Sequence, residues 1–140
     1  MRRESVSSSL VIDASAAVDF LLSRGDEADW VGAIIAGSDA LVAPHLIDFE
    51  VASAVRGLTF GGTIAARRGA QALDDFARMR MFRFAARQLL RRMWDLRGNV
   101  DVFDAAYIAL AERLQLPLIT TDRRLARSGG HRAEVVAFSA

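Results

Sequence analysis

The stretch DVFDAAYIALAERLQLPLITTD, residues 101–122, joins a helix, a strand and three aspartates in one unit. Its first fourteen residues are apolar on most sides of a helix, which predicts that this helix is largely buried. The run PLIT, residues 117–120, is short and mostly apolar, as buried parallel strands are. Asp122 stands just past that run. Because a buried carboxylate without a partner is costly, the acids at both ends of this unit require an explanation.

Working outward from this unit, the same alternation of strand and helix covers the rest of the chain. The predicted strands are residues 10–13, 40–43, 117–120 and 134–138. The predicted helices are residues 14–24, 27–36, 45–58, 64–79, 88–98 and 101–114, and a short helix lies within 121–130. Thr63 is predicted to start the helix 64–79. Residues 80–85, RMFRFA, fit either a strand or the start of a helix. Strands that alternate with helices predict an α/β fold, with a short central parallel sheet covered by helices on both sides.

Length and composition predict one folded domain over residues 10–140, with residues 1–9 as a loose N-terminal leader. The 140 residues are 52% hydrophobic, and the mean hydropathy of +0.20 argues against disorder. No run of 18 apolar residues is present and the N-terminus lacks a signal-peptide pattern, so we expect no membrane span. The chain has no cysteine. That excludes disulfides and cysteine metal sites, and it is compatible with the cytoplasm, where we expect the protein.

All 18 basic residues are arginine, which excludes mechanisms that need a lysine, such as the P-loop and Schiff-base chemistry. The segment 61–98 has nine arginines against three aspartates, a net charge of +6, while the whole chain carries only +1. One interpretation is an ordinary solvated helical face. The other is a surface that binds RNA phosphates, for which Arg87 and Arg91 are the candidates.

Four acids fall where a parallel sheet forms its sites, at the carboxyl ends of the strands. Asp13 ends the first strand, Glu50 lies on the helix after the second, Asp104 lies in the first turn of the helix 101–114, and Asp122 follows the strand 117–120. Asp13 or Asp122 alone fits a helix cap equally well. As a converging set, the four suit Mg²⁺ or Mn²⁺, since hard oxygen ligands bind these cations. Such a site polarises a phosphodiester and activates a water for in-line attack.

Other chemistries lack their residues. Two histidines, His45 and His131, do not make a zinc site. No GxSxG or GxGxxG motif is present. A haloacid-dehalogenase-type phosphatase has a second aspartate two residues after the first, and Ser15 stands at that position after Asp13.

Four segments in this order and spacing resemble the PIN-domain ribonucleases, and specifically the VapC toxins of bacterial toxin–antitoxin pairs. They are LVIDASAAVDFLL, PHLIDFEVASAVR, NVDVFDAAYIALAERL and PLITTDRRLA, and the resemblance extends from about Leu10 to Phe138. It implies a PIN-like fold and an endoribonuclease that depends on Mg²⁺ or Mn²⁺ and hydrolyses RNA phosphodiester bonds. It further implies a small DNA-binding antitoxin of the VapB kind that blocks the site, and a homodimer.

The resemblance also assigns roles to individual residues. Asp13, Glu50, Asp104 and Asp122 match the four acids of the family, which are both catalytic residues and metal ligands. Ser15 matches the small hydroxyl residue after the first acid. Thr121 and Asp101, which the resemblance does not assign, are expected to be supporting residues together with Ser15.

Position 101 departs from the family, which often has Thr or Ser where this chain has Asp101. Asp101 is placed to cap the helix that follows, where its charge suits the helix dipole. On this interpretation Asp101 holds the helix while Asp104 faces the metal.

Two alternatives stay open at this stage. The first is a catalytically silent PIN-like module that binds RNA or a protein partner. It does not explain four acids that repel one another. The second is a phosphatase acting on small phosphomonoesters.

Overall fold

The computed structural model describes residues 8–139 as alternating strands and helices around one parallel sheet. In chain order the elements are β1 (Leu10–Ile12), α1 (Ala14–Leu21), α2 (Gly25–Ala36), β2 (Leu41–Pro44), α3 (Leu46–Phe60), α4 (Ala66–Arg78), β3 (Met81–Phe84), a 3₁₀ turn (Ala86–Leu89), α5 (Leu90–Asp95), α6 (Val102–Leu114), β4 (Leu118–Thr120), α7 (Arg123–Ala126) and β5 (Val135–Ala137). The predicted α/β class is confirmed.

The five strands have the order β3-β2-β1-β4-β5, and every neighbouring pair is parallel. At the centre, Val11 lies between Val42 of β2 and Leu118 of β4. All residues of β1 and β2 are buried. Since side chains alternate between the two faces of a strand, both faces of the central sheet are covered, as predicted.

The helix α6 lies against the middle of the sheet and packs on β1, β2 and β4. Its residues 105–111 are all buried, which explains why their sequence is apolar on every side. The helix α1 packs on α2, α3 and β4. Because the strands are parallel, the residues after Ile12, Pro44 and Thr120 all emerge at one edge of the sheet, and helices begin there.

Three segments settle what the sequence left open or placed differently. Residues 80–85 contain an edge strand, β3, which pairs with β2. The predicted start of the fourth helix at Thr63 is wrong. The Thr63 amide donates to the Leu58 carbonyl at the end of α3, so Thr63 completes the exit from that helix and α4 begins at Ala66. The predicted helix over 88–98 is a 3₁₀ turn followed by the shorter α5.

Residues 1–7 of the predicted leader lie outside the described residues. Ser8 exchanges hydrogen bonds with Asp39, whose amide donates to the Ser8 hydroxyl over 3.0 Å. Over residues 8–139, none of the helices is long and apolar enough to cross a membrane.

Candidate active site

A cavity of about 190 Å³ opens at the carboxyl edge of the sheet, and five carboxylates line it. They belong to Asp13, Glu50, Asp101, Asp104 and Asp122. The structure thus brings together all four acids expected at the site, along with the expected cap. Ser15 also lines the cavity, whereas Thr121, Arg87 and Arg91 do not line it.

Asp13 is fixed in place by three hydrogen bonds. As the N-cap of α1, its Oδ1 accepts from the Ala16 amide over 2.9 Å and from the Ser15 hydroxyl over 2.7 Å, and the Thr120 hydroxyl donates to Oδ2. The residue is only 5% exposed. Burial raises the pKa of Asp13 to about 6, although the three hydrogen bonds oppose this shift.

Thr120 connects the ends of β1 and β4. Sequence reasoning named its neighbour Thr121 instead. The fully buried Thr120 hydroxyl contacts Asp13, lies 3.2 Å from the Ser15 hydroxyl and accepts from the Asp122 amide over 2.9 Å. Thr121 contributes its backbone amide, which donates to Ser15 over 3.3 Å. A polar residue within a buried strand was the signal for Thr120, because such a side chain needs a partner.

Glu50 is held from α6 by Tyr107, a second residue that sequence reasoning missed. The Tyr107 hydroxyl donates to Glu50 Oε1 over 2.7 Å. Burial raises the pKa of Glu50, and the charge of Asp101 adds to this, while the Tyr107 hydrogen bond opposes it. Burial and the bond to Glu50 also raise the pKa of Tyr107. Spacing was the available signal: Tyr107 follows Asp104 by three residues, which puts both on one helix face.

The two acids at the head of α6 take different positions. Asp101 is the N-cap, and its Oδ1 accepts from the Asp104 amide over 2.8 Å, as predicted. Asp104 lies in the first turn with its carboxylate in the cavity. Burial raises the pKa of Asp104 to about 6, with further contributions from the charges of Asp101 and Asp122.

Asp122 caps α7 and lines the cavity as well. Its Oδ1 accepts from the Arg124 amide over 2.9 Å. The Arg124 side chain turns back into the cavity, with Nη2 3.8 Å from Asp122 Oδ2 and 3.9 Å from Asp104 Oδ2. The guanidinium opposes the rise in the pKa of Asp104. Arg124 is therefore the cation among these acids, and the arginines directly after Asp122 were its only signal in the sequence.

The cavity suits a divalent cation by the chemistry of its donors. Carboxylate oxygens are the ligands that Mg²⁺ and Mn²⁺ prefer. Burial and the neighbouring acids disfavour the charged form of Asp104, and a bound cation would offset both effects. Within residues 8–139, no three acidic or histidine side chains are arranged closely enough to surround one ion. The residues fit a cation in type and location, and side-chain movements would have to complete its coordination.

Arg87 and Arg91 lie on the outside of the molecule. Arg87 is exposed in the 3₁₀ turn, and Arg91, on α5, has Nε 3.4 Å from Asp95 Oδ1. Neither arginine lines the cavity.

Comparisons with known proteins show which family and fold the chain is similar to. Ribonuclease VapC9 of Mycobacterium tuberculosis is 38% identical over 120 residues, which is 86% of this chain and 91% of that protein. The crystal structure of VapC20 of the same species, a toxin that cleaves the sarcin–ricin loop, matches 84% of this chain and 92% of its own with a TM-score of 0.65 at 10% identity. A chain of the Rickettsia felis VapBC2 structure, bound to promoter DNA, matches 94% of this chain and 99% of its own with a TM-score of 0.66 at 11% identity.

The two structural matches are too distant in sequence to show more than the fold, so the family rests on the sequence matches. The PIN domain model covers residues 10–130, from the first residue of β1 to the turn after α7, and it includes every acid of the cavity. Together with the identity to VapC9 over most of both chains, this match means that the chain belongs to the PIN-domain family, among the VapC ribonucleases.

Proposed function

We propose that this chain is a Mg²⁺- or Mn²⁺-dependent endoribonuclease and the toxin of a toxin–antitoxin pair. The observation that carries the proposal is the meeting of five carboxylates, from four separate segments, in one cavity at the carboxyl edge of the sheet. Natural proteins rarely keep such a repulsive cluster without a use. The ribonuclease relatives supply the substrate class, RNA.

Asp13, Glu50, Asp104 and Asp122 are the residues that would hold the cation. When bound, a divalent cation polarises a phosphodiester and lowers the pKa of water. The protein's contribution is to hold the carboxylate oxygens of these acids in position. Thr120 and the first turn of α1 hold Asp13.

Glu50 is placed to receive a proton. Tyr107 orients one of the Glu50 oxygens, and burial raises the pKa of Glu50, which makes this carboxylate a better proton acceptor than an exposed one. Water passes a proton to Glu50 and its oxygen bonds to phosphorus, the bond from phosphorus to the 3′ oxygen breaks, and the 3′ oxygen takes up a proton from bulk water. The products carry a 5′-phosphate and a 3′-hydroxyl.

The partners follow from the same relationship. We propose a small DNA-binding antitoxin of the VapB kind that closes the cavity, a homodimer, and action in the cytoplasm. The match to a chain of the VapBC2 complex supports the antitoxin.

The test is cleavage of single-stranded RNA by the purified protein, with the end groups identified. We expect cleavage with Mn²⁺ or Mg²⁺, 5′-phosphate ends, and no cleavage in excess EDTA. Asp104→Asn should abolish cleavage, because the amide keeps the shape but loses the charge. Asp74→Asn is the matched control, since Asp74 is exposed on α4 and away from the cavity. Cleavage that survives EDTA, or 2′,3′-cyclic phosphate ends, would contradict the proposal.

A further inference from the structure

Beside the acidic cavity lies a second, mostly apolar groove of about 350 Å³. Its lining comes from α5 and the residues leading into α6: Leu90, Met93, Trp94, Arg97, Val100, Asp101 and Val102. Trp94 is 62% exposed, and Leu90 and Val102 are also more than half exposed. A cluster of exposed large apolar side chains is uncommon on a protein surface and indicates a binding site.

The guanidinium of Arg97 lies over the ring of Trp94. The Arg97 guanidinium carbon lies 4.4 Å from the ring centroid of Trp94, and Arg97 Nη1 donates to the Trp94 carbonyl over 3.0 Å. Its neighbours on α5 are paired with acids, Arg91 with Asp95 and Arg92 with Glu112. Arg97 makes no ion pair with any carboxylate of residues 8–139. The pair therefore offers a flat aromatic surface together with a positive charge.

The groove adjoins the acidic cavity, because Asp101 lines both. With the proposed cation in the acidic cavity, a ligand that fills both spaces carries a phosphate there and a flat apolar group beside it. Its phosphates would also meet Arg97, which lines the groove and has no ion pair with a carboxylate of residues 8–139. That charge favours a polyanion over an apolar helix or a second copy of the chain. An unpaired nucleotide has this chemistry, since bases stack on aromatic rings and on arginine planes.

We propose that this groove is a base-binding subsite, in which an unpaired base of the RNA stacks on Trp94 and Arg97 while an adjoining phosphate enters the acidic cavity. The inference rests on the proposed ribonuclease function and adds how the substrate is positioned. Trp94 and Arg97 are positioning residues, and the subsite favours single-stranded over paired RNA.

The experiment uses tryptophan fluorescence. The chain has two tryptophans, and Trp30 packs edge-on against Phe138 with ring centroids 5.7 Å apart. In a Trp30→Phe background, Trp94 is the only reporter. The protein is titrated at low salt in EDTA, so that nothing is cut and base stacking in the groove is measured without a phosphate in the acidic cavity. The ligands are a 12-nucleotide single-stranded RNA and an abasic strand of the same length and charge. We expect the RNA to quench Trp94 and to bind more tightly than the abasic strand.

Variants separate stacking from charge, with binding followed by anisotropy of labelled strands. Trp94→Ala should weaken binding of the RNA about 5- to 100-fold and leave binding of the abasic strand unchanged. Trp94→Phe should restore most of the loss, which also guards against a folding defect. Arg97→Ala should weaken RNA binding more than Arg113→Ala, which removes an exposed arginine at the far end of α6.

Three results would overturn the subsite: no binding of the RNA, an equal effect of Trp94→Ala on both strands, or a Trp94→Ala variant that binds RNA like the wild type. A change from dimer to monomer in Trp94→Ala, seen by sedimentation, would assign the groove to a second copy and overturn it as well. Because binding is measured without cleavage, failure of the nuclease proposal can be told apart from failure of the base-binding subsite. A wild type that never cuts RNA while Trp94 still recognises bases refutes the nuclease alone.

Discussion

At the scale of single residues, Asp13 and Asp104 are carboxylates whose surroundings favour the protonated form. Burial is the main cause for both, and for Asp104 the neighbouring acids add to it. In each case the pKa rises from 3.8 to about 6 on folding. The folded protein therefore binds more protons than the unfolded chain between about pH 4 and 6, and these two groups make it less stable as the pH rises through that window.

The pH dependence of unfolding without metal tests this. In EDTA, we expect the free energy of unfolding of the wild type to fall between pH 5 and pH 7. Asp104→Asn should be more stable than the wild type at pH 7, by about 1–3 kcal/mol, and less dependent on pH. Glu112 has a lowered pKa because Arg92 donates to it, so its titration changes the free energy of unfolding only at more acidic pH. Urea midpoints at both pH values, with Asp74→Asn as control, measure the difference. Equal midpoints for Asp104→Asn and the wild type at pH 7 would contradict it.

The division of work between the two acids of α6 is a second prediction at this scale. Asp101→Asn keeps a good cap, so stability and cleavage should change little. Asp101→Ala removes the bond to the Asp104 amide and should cost about 0.5–2 kcal/mol of stability while sparing most of the activity. Denaturant midpoints and single-turnover rates are measured together. If Asp101→Asn is folded but as inactive as Asp104→Asn, Asp101 belongs to the metal site.

At the scale of elements, a hydrogen bond from α6 to α3 controls Glu50. Tyr107→Phe removes the hydroxyl that favours the charged form of this acid, so the pKa of Glu50 should rise further. We expect the acidic limb of the pH–rate profile of cleavage to move to higher pH, with folding retained. An unchanged profile in a folded Tyr107→Phe variant would show that Glu50 does not limit the reaction.

Much of this arrangement was predictable from the elements alone. Apolar runs and helical periodicity located β1, β2, β4 and β5, and the parallel order placed the acids at one edge. The edge strand β3 was ambiguous because its residues are only partly buried and carry no clear period. Thr120, Tyr107 and Arg124 could not be assigned with certainty, because their roles depend on which side chains the folded sheet brings opposite them.

At the scale of the whole molecule, positive charge is concentrated in the segment 61–98 and negative charge in the acidic cavity. If exposed arginines of that segment contact RNA phosphates, the logarithm of affinity should fall linearly with the logarithm of salt concentration, by about 0.7 per contact. Replacing Arg87 and Arg91 together with Ser should reduce that slope. A slope equal to that of the wild type would show that both residues belong to an ordinary solvated surface and do not contact RNA phosphates.

The acidic cavity as a divalent cation site is the claim on which the rest depends, and Mn²⁺ binding measured by calorimetry tests it most directly. We expect the wild type to bind Mn²⁺ at pH 7.5 and to bind it more weakly at pH 5.5, since Asp13 and Asp104 must lose their protons first. Asp74→Asn should match the wild type, and Asp104→Asn should lose most of the affinity while remaining folded. A folded wild type that does not bind Mn²⁺, or an Asp104→Asn variant that binds it equally well, would contradict the assignment of the cavity.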